Sequence, residues 1–124
     1  MRVGIDLVSV DTVVNSIRDH GERYLKRIYT DTELHDCQGA EGPTPERLAA
    51  RFAAKEATLK VLRPEQEAIP WRDIEVVRHP SGWVELKLGG RAEASAAAQG
   101  LGDFALSMSH EAGYATAVVA VGGT

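Results

Sequence analysis

The period of apolar and polar positions changes several times along the chain, and each change marks an element. Residues 2–10 (RVGIDLVSV) are almost continuously apolar, which predicts a buried strand with Val3, Ile5 and Leu7 on one face. Asp6 falls on the other face, beside Gly4 and Val8. Asp11 or Thr12 can cap a helix reaching about Ile28, with Val13, Val14, Ile17, Leu25 and Ile28 as its apolar set and His20-Gly21 as a kink or break. Thr30-Asp31-Thr32-Glu33 signals a short second helix through a capping box, and residues 38–43 (QGAEGP) read as a loop.

The clearest start signal is Thr44-Pro45-Glu46, which opens a helix running to Leu62 and stopped by Pro64. Two hairpins follow: Ile74 to Arg78 with Val84 to Leu88 around His79-Pro80-Ser81-Gly82, and Phe104 to His110 with Tyr114 to Val121 around Glu111-Ala112-Gly113. Arg91 to Gln99, between them, is a short alanine-rich helix closed by Gly100. Helices interspersed with dominant hairpins make an α+β plan, antiparallel hairpins with one long central helix packed on the sheet.

Length and composition narrow the function classes. The 124 residues carry no repeat or long linker and read as one domain, 1–124, and 44% hydrophobic with 26% charged residues is a globular composition. Fourteen Lys plus Arg against eighteen Asp plus Glu give a net charge of -4, the wrong balance for a nucleic-acid backbone binder. No apolar run approaches the roughly 20 residues of a membrane helix. Met1 leads straight into a strand, which favours a free-standing protein without a signal peptide. The single Cys37 has no internal partner and fits a reducing, cytoplasmic location. Aromatics are only 6%, so the core is built from small side chains, and a chain of this size is expected to bury part of its apolar surface against copies of itself.

Polar groups stand where the local pattern asks for apolar ones in three places. Asp6 lies mid-strand, and a buried carboxylate needs a cation, a metal or strong donors; a structural aspartate satisfied by backbone N–H groups is the alternative. On the central helix Leu48, Phe52, Leu59 and Leu62 share a stripe that also contains Lys55, while Glu56 lies at its edge with Lys60 one turn further on. An isolated helix would present these as a solvated Glu56–Lys60 pair with Lys55 snorkelling. Facing a strand that bears Asp6, they instead make half of a hard-cation site and a phosphate site together. In Ser107-Met108-Ser109-His110-Glu111 the two serines share one face and His110 the other, and adjacent residues cannot form a Ser-His-Asp triad. GxGxxG, Walker A, CxxC and HExxH are all missing from the sequence. Two carboxylates suffice for Mg²⁺ only when the substrate brings phosphate, which points to a phosphate-bearing ligand.

Taken in order, GIDLVSV, RFAAKEATLK and SMSHE resemble the signature set of the holo-acyl-carrier-protein synthase family of 4'-phosphopantetheinyl transferases. Arg27-Ile28-Tyr29-Thr30 and Asp73-Ile74-Glu75-Val76 resemble its intervening segments, so the likeness spans the chain. The resemblance implies the 4'-phosphopantetheinyl transferase-like fold and a reaction: the phosphopantetheine arm of coenzyme A moves to a serine of an apo acyl, polyketide or peptidyl carrier protein, releasing adenosine 3',5'-bisphosphate. By position it implies Asp6 and Glu56 as Mg²⁺ ligands, Lys60 on the pyrophosphate, and His110 at a coenzyme A phosphate or assisting proton transfer. Arg51, Lys55, Ser107 and Ser109 would line the nucleotide site. The base that takes the serine proton stays open between Glu56, Glu111 and a metal-bound water.

Short members of the family resemble homotrimers with active sites between subunits. Thr12 stands where the family usually carries an arginine that docks the acidic carrier, leaving Arg18, Arg23, Lys26 and Arg27 as a basic face diluted by Asp19 and Glu22. Trp83 follows Gly82 where Gly-x-Pro is usual, which bears on the adenine-side contacts. A coenzyme A or nucleotide-binding oligomer without transfer activity is the alternative function; the retained Asp6, Glu56, Lys60 and His110 argue against it.

Overall fold

The computed structural model describes residues 1–65 and 67–123. Strand β1 (Arg2–Ser9) leads into helices α1 (Val10–His20), α2 (Glu22–Ile28) and α3 (Asp31–Asp36). A two-residue pair, β2 (Gln38–Gly39) with β3 (Gly42–Pro43), precedes the long α4 (Pro45–Leu62). A 3-10 turn (Trp71–Asp73), the hairpin β4 (Ile74–Arg78) and β5 (Val84–Leu88), helix α5 (Gly90–Ala98), and the hairpin β6 (Leu101–Glu111) and β7 (Tyr114–Gly123) complete the α+β fold.

The main sheet has the order β1-β7-β6, antiparallel throughout. Its register sets two faces. Gly4, Val119 and Leu106 form one inward row, Asp6, Ala117 and Met108 the next, and Val8, Ala115 and His110 a third. Helix α4 packs on this face. Its alanines at 49, 50, 53, 54 and 57 are buried along with Leu48, Val61 and Leu62, so small side chains let neighbours approach from several sides. The approach is tightest at Gly4, where a Cβ would meet the Ala57 carbonyl oxygen at 2.3 Å and the Val61 side chain at 3.0 Å.

Local signals explain the helix ends. Thr30 and Glu33 form a complete capping box on α3, and Gly21, at φ 53°, divides the first helical stretch into α1 and α2. Arg63, at φ 50°, ends α4 in the left-handed conformation. The last two strands turn through Ala112 and Gly113, both with positive φ, as a two-residue hairpin loop requires.

The structure corrects three expectations. Val3, Ile5 and Leu7 are not buried: each is more than half exposed, because α4 covers only the opposite face of β1. Residues 38–43 contain the β2–β3 pair rather than an open loop. Neither Asp11 nor Thr12 caps α1, which begins at Val10 with its amide donating to the Gly113 carbonyl at 2.9 Å. Thr44 stands at the N-cap of α4 and Pro45 at its first position, as the start signal requires, although the Thr44 side chain makes no capping bond.

Candidate active site

Because β1 crosses α4 at Gly4 and Ala57, Asp6 on the strand comes to lie beside Glu56 and Lys60 on the helix. The Lys60 ammonium donates to the Ile5 carbonyl at 2.7 Å and pairs with Asp6 Oδ1 at 3.2 Å. Asp6 is largely covered, and its carbonyl accepts from the Thr116 hydroxyl at 2.8 Å, which ties this point of β1 to β7. Burial and the neighbouring Asp6 carboxylate hold the Glu56 carboxyl above its usual range, with Lys60 opposing them. Two carboxylates side by side, with an ammonium between strand and helix, suit a small hard cation. Here as elsewhere among the described residues, no group of three or more His, Cys, Asp or Glu side chains converges, so a cation held by Asp6 and Glu56 would take its remaining ligands from water or phosphate.

A second polar centre lies at the opposite edge of the sheet, toward β6. Arg47, Arg51 and Ala50 of α4, Arg78, Gly82 and Val84 of the β4–β5 hairpin, and Met108, Ser109 and His110 of β6 line a cleft of about 180 Å³. Arg51 is 4% exposed; its Nη1 donates to the Arg47 carbonyl at 3.2 Å, and its Nε has no hydrogen-bond partner among the described residues. An orphaned guanidinium nitrogen in a cleft with two more arginines and a histidine is a site for phosphate oxygens. Trp83 does not line this cleft. Its ring stacks on His79 at 3.7 Å and 12°.

The expected site residues thus separate into groups. Asp6, Glu56 and Lys60 meet at β1, whereas Arg51, Ser109 and His110 meet at β6, the opposite edge of the sheet and two strand spacings, about 10 Å, away. Ser107 and Ser109 both lie on the outer sheet face, in rows with Val118 and Ile5 and with Thr116 and Leu7, and of the two only Ser109 borders the cleft. Lys55 lines neither centre: its ammonium is fully buried against Glu33 Oε1 at 2.8 Å and donates to the carbonyls of Trp71 and Ile74. Arg47 and Arg78 also line the cleft, although neither stands out in the sequence. Arg47 is marked only as the residue one turn before Arg51, and Arg78 has no local signal, since only the folding of the hairpin against β6 brings it in. Cys37 is buried and its thiol is pushed up to about 11 by that burial, which leaves it unreactive.

The model of the 4'-phosphopantetheinyl transferase superfamily matches residues 2–119. Two similar curated proteins are both named holo-[acyl-carrier-protein] synthase. The one from Gloeobacter violaceus is 39% identical over 97% of this chain and 91% of its own, and the one from Koribacter versatilis is 43% identical over 94% and 93%. Among solved structures, Helicobacter pylori holo-[acyl-carrier-protein] synthase in complex with coenzyme A superposes with a TM-score of 0.84 at 25% identity, covering 98% of this chain and 100% of that one.

Proposed function

The chain belongs to the 4'-phosphopantetheinyl transferase superfamily, and on that premise we propose that it moves the phosphopantetheine arm of coenzyme A onto a serine hydroxyl of an apo carrier protein. A P–O bond forms between the serine oxygen and the phosphorus that bears pantetheine. The P–O bond to adenosine 3',5'-bisphosphate breaks, and the serine proton leaves with a base. The observation that carries this reading is the Asp6–Glu56–Lys60 cluster, a cation-and-phosphate arrangement in a family whose named relatives act on acyl carrier protein. Asp6 and Glu56 would hold Mg²⁺, which when bound supplies charge to phosphoryl oxygens. Lys60 can swing from Asp6 to the pyrophosphate and offset charge that grows on the leaving group. Release of adenosine 3',5'-bisphosphate that requires both an apo carrier and a divalent cation is the expected result; release equally fast with no carrier present would contradict the proposal.

Arg47, Arg51, Arg78 and His110 would take the nucleotide's phosphates, with Ser109 at the rim. Arg51→Ala is expected to raise KM for coenzyme A about tenfold to a hundredfold, the equivalent of one or two charge-assisted hydrogen bonds at about 1.5–3 kcal/mol each. Titration of coenzyme A by calorimetry checks this, and unchanged affinity would remove Arg51 from the site.

Because the two centres occupy opposite edges of one sheet, one substrate molecule reaches both most simply where two copies of the chain meet. The outer sheet face supports that arrangement. Val3, Ile5 and Leu7 stand exposed there in rows with Ala120, Val118 and Thr116, an apolar strip that a lone chain leaves in water. We therefore read the active form as a homotrimer with active sites between subunits. The carrier, an acidic protein of fatty acid or polyketide synthesis, would dock near Arg18 and Arg23 on the first two helices. Arg23 also borders a cleft with His20, Tyr24, Arg27, Ile28 and Trp71, which offers cations and apolar surface together. Arg18→Glu and Arg23→Glu are each expected to weaken carrier binding several-fold at low salt, with the difference shrinking as ionic strength rises. Carrier affinity unchanged in both variants would place docking elsewhere.

A further inference from the structure

Lys55 and Glu33 form an ion pair in which both side chains are wholly buried. Such a pair is a costly way to gain stability, because desolvating two charges offsets most of their attraction. Its geometry does something else. The Lys55 ammonium is gripped by Glu33 Oε1 at 2.8 Å and by the carbonyls of Trp71 and Ile74. Glu33 is itself fixed, accepting from the amides of Thr30 at 2.9 Å and Val76 at 2.8 Å. Four backbone groups outside α4 therefore converge, through one ion pair, on a single helical position. That position adjoins Glu56, and successive residues project about 100° apart around a helix, so fixing Lys55 fixes the roll of α4 at the residue that faces Asp6.

We propose that the Glu33–Lys55 pair is a positioning device for the Asp6–Glu56 carboxylates, holding α4 at the roll that presents Glu56 to a divalent cation. The inference rests on the carboxylate pair being the cation site. Its test is binding of Mn²⁺ in the presence of coenzyme A, followed by electron paramagnetic resonance, alongside thermal melting. Glu33→Leu combined with Lys55→Met removes both charges and keeps side-chain bulk but leaves the Thr30 and Val76 amides and the Trp71 and Ile74 carbonyls without these partners, so the variant is expected to melt below the native chain and Mn²⁺ binding is read well below its melting temperature. Its Mn²⁺ affinity is expected to fall about 10–100-fold, as when partners that orient metal ligands are lost. Native Mn²⁺ affinity in that variant, with Glu56→Gln losing it, would overturn the positioning role and leave the cation site standing. Native affinity in Glu56→Gln would overturn the site itself. Should the double variant fail to fold, the isosteric Glu33→Gln is read by the same two outcomes.

Discussion

Glu56→Gln is expected to cut phosphopantetheine transfer by more than about 100-fold, since losing a group that merely orients a metal ligand already costs about 10–100-fold. The substitution keeps the side chain's size and removes only its charge. Burial and Asp6 hold the native carboxyl above its usual range, so the folded chain binds that proton more readily than the unfolded chain does. The sign follows: Glu56 lowers stability progressively as pH rises from the unfolded value through the raised folded one, and at neutral pH it is a net burden on the metal-free fold. Glu56→Gln is therefore expected to melt slightly higher than the native chain at pH 7 without metal while transferring almost nothing. At Mg²⁺ too low to fill the site, where the cation must displace the Glu56 proton, the acid limb of the native rate profile is expected above the ordinary glutamate range, and saturating Mg²⁺ is expected to pull it down. Melting curves and initial rates on one preparation check both. Near-native turnover by the variant at low Mg²⁺ would remove Glu56 from the cation site.

Gly4→Ala is expected to cost about 3 kcal/mol, the upper end for forcing atoms into a packed interior. The added Cβ would lie 2.3 Å from the Ala57 carbonyl oxygen, a backbone atom inside α4 that cannot turn aside as a side chain would. Strand and helix must then separate, and the separation falls two residues from Asp6 and one from Glu56. A melting temperature lower by about 10–15 °C, together with weaker Mn²⁺ binding, is the expected outcome of calorimetry and titration. A variant that melts like the native chain would show that β1 and α4 do not pack this closely.

How far the sequence carried depends on whether a feature is local. The ends of β4, β5 and α4 and the Thr30–Glu33 capping box follow from turn residues, Pro45 and side-chain-to-backbone bonds within a few positions, and the structure reproduces them. Strand β1 reads from the sequence as buried throughout, whereas only its Gly4 face is covered. A run such as VGIDLV is apolar on both sides, and nothing local says that only the Gly4 face meets a helix of the same chain. The resemblance places Lys55 at the nucleotide by position alone; the partner it meets instead, Glu33, is 22 positions away and reaches it only in three dimensions. The Asp6–Glu56–Lys60 grouping was legible because residue chemistry and the family resemblance pointed the same way. That the arginine cleft lies across the sheet from it depends on the strand order β1-β7-β6, which no local pattern encodes.

Transfer of phosphopantetheine from coenzyme A to a carrier serine, proposed here to run through the Asp6–Glu56 centre, leaves a fixed mass increment on the carrier. Intact-mass spectrometry of several apo carrier proteins, incubated with the chain, coenzyme A and Mg²⁺, tests it most directly. The predicted result is the mass of one phosphopantetheine gained by at least one carrier, abolished by chelator, by Ala at the carrier's acceptor serine, and by Glu56→Gln. Carriers of every class left unmodified by the native chain, or modified equally well by Glu56→Gln, would contradict it.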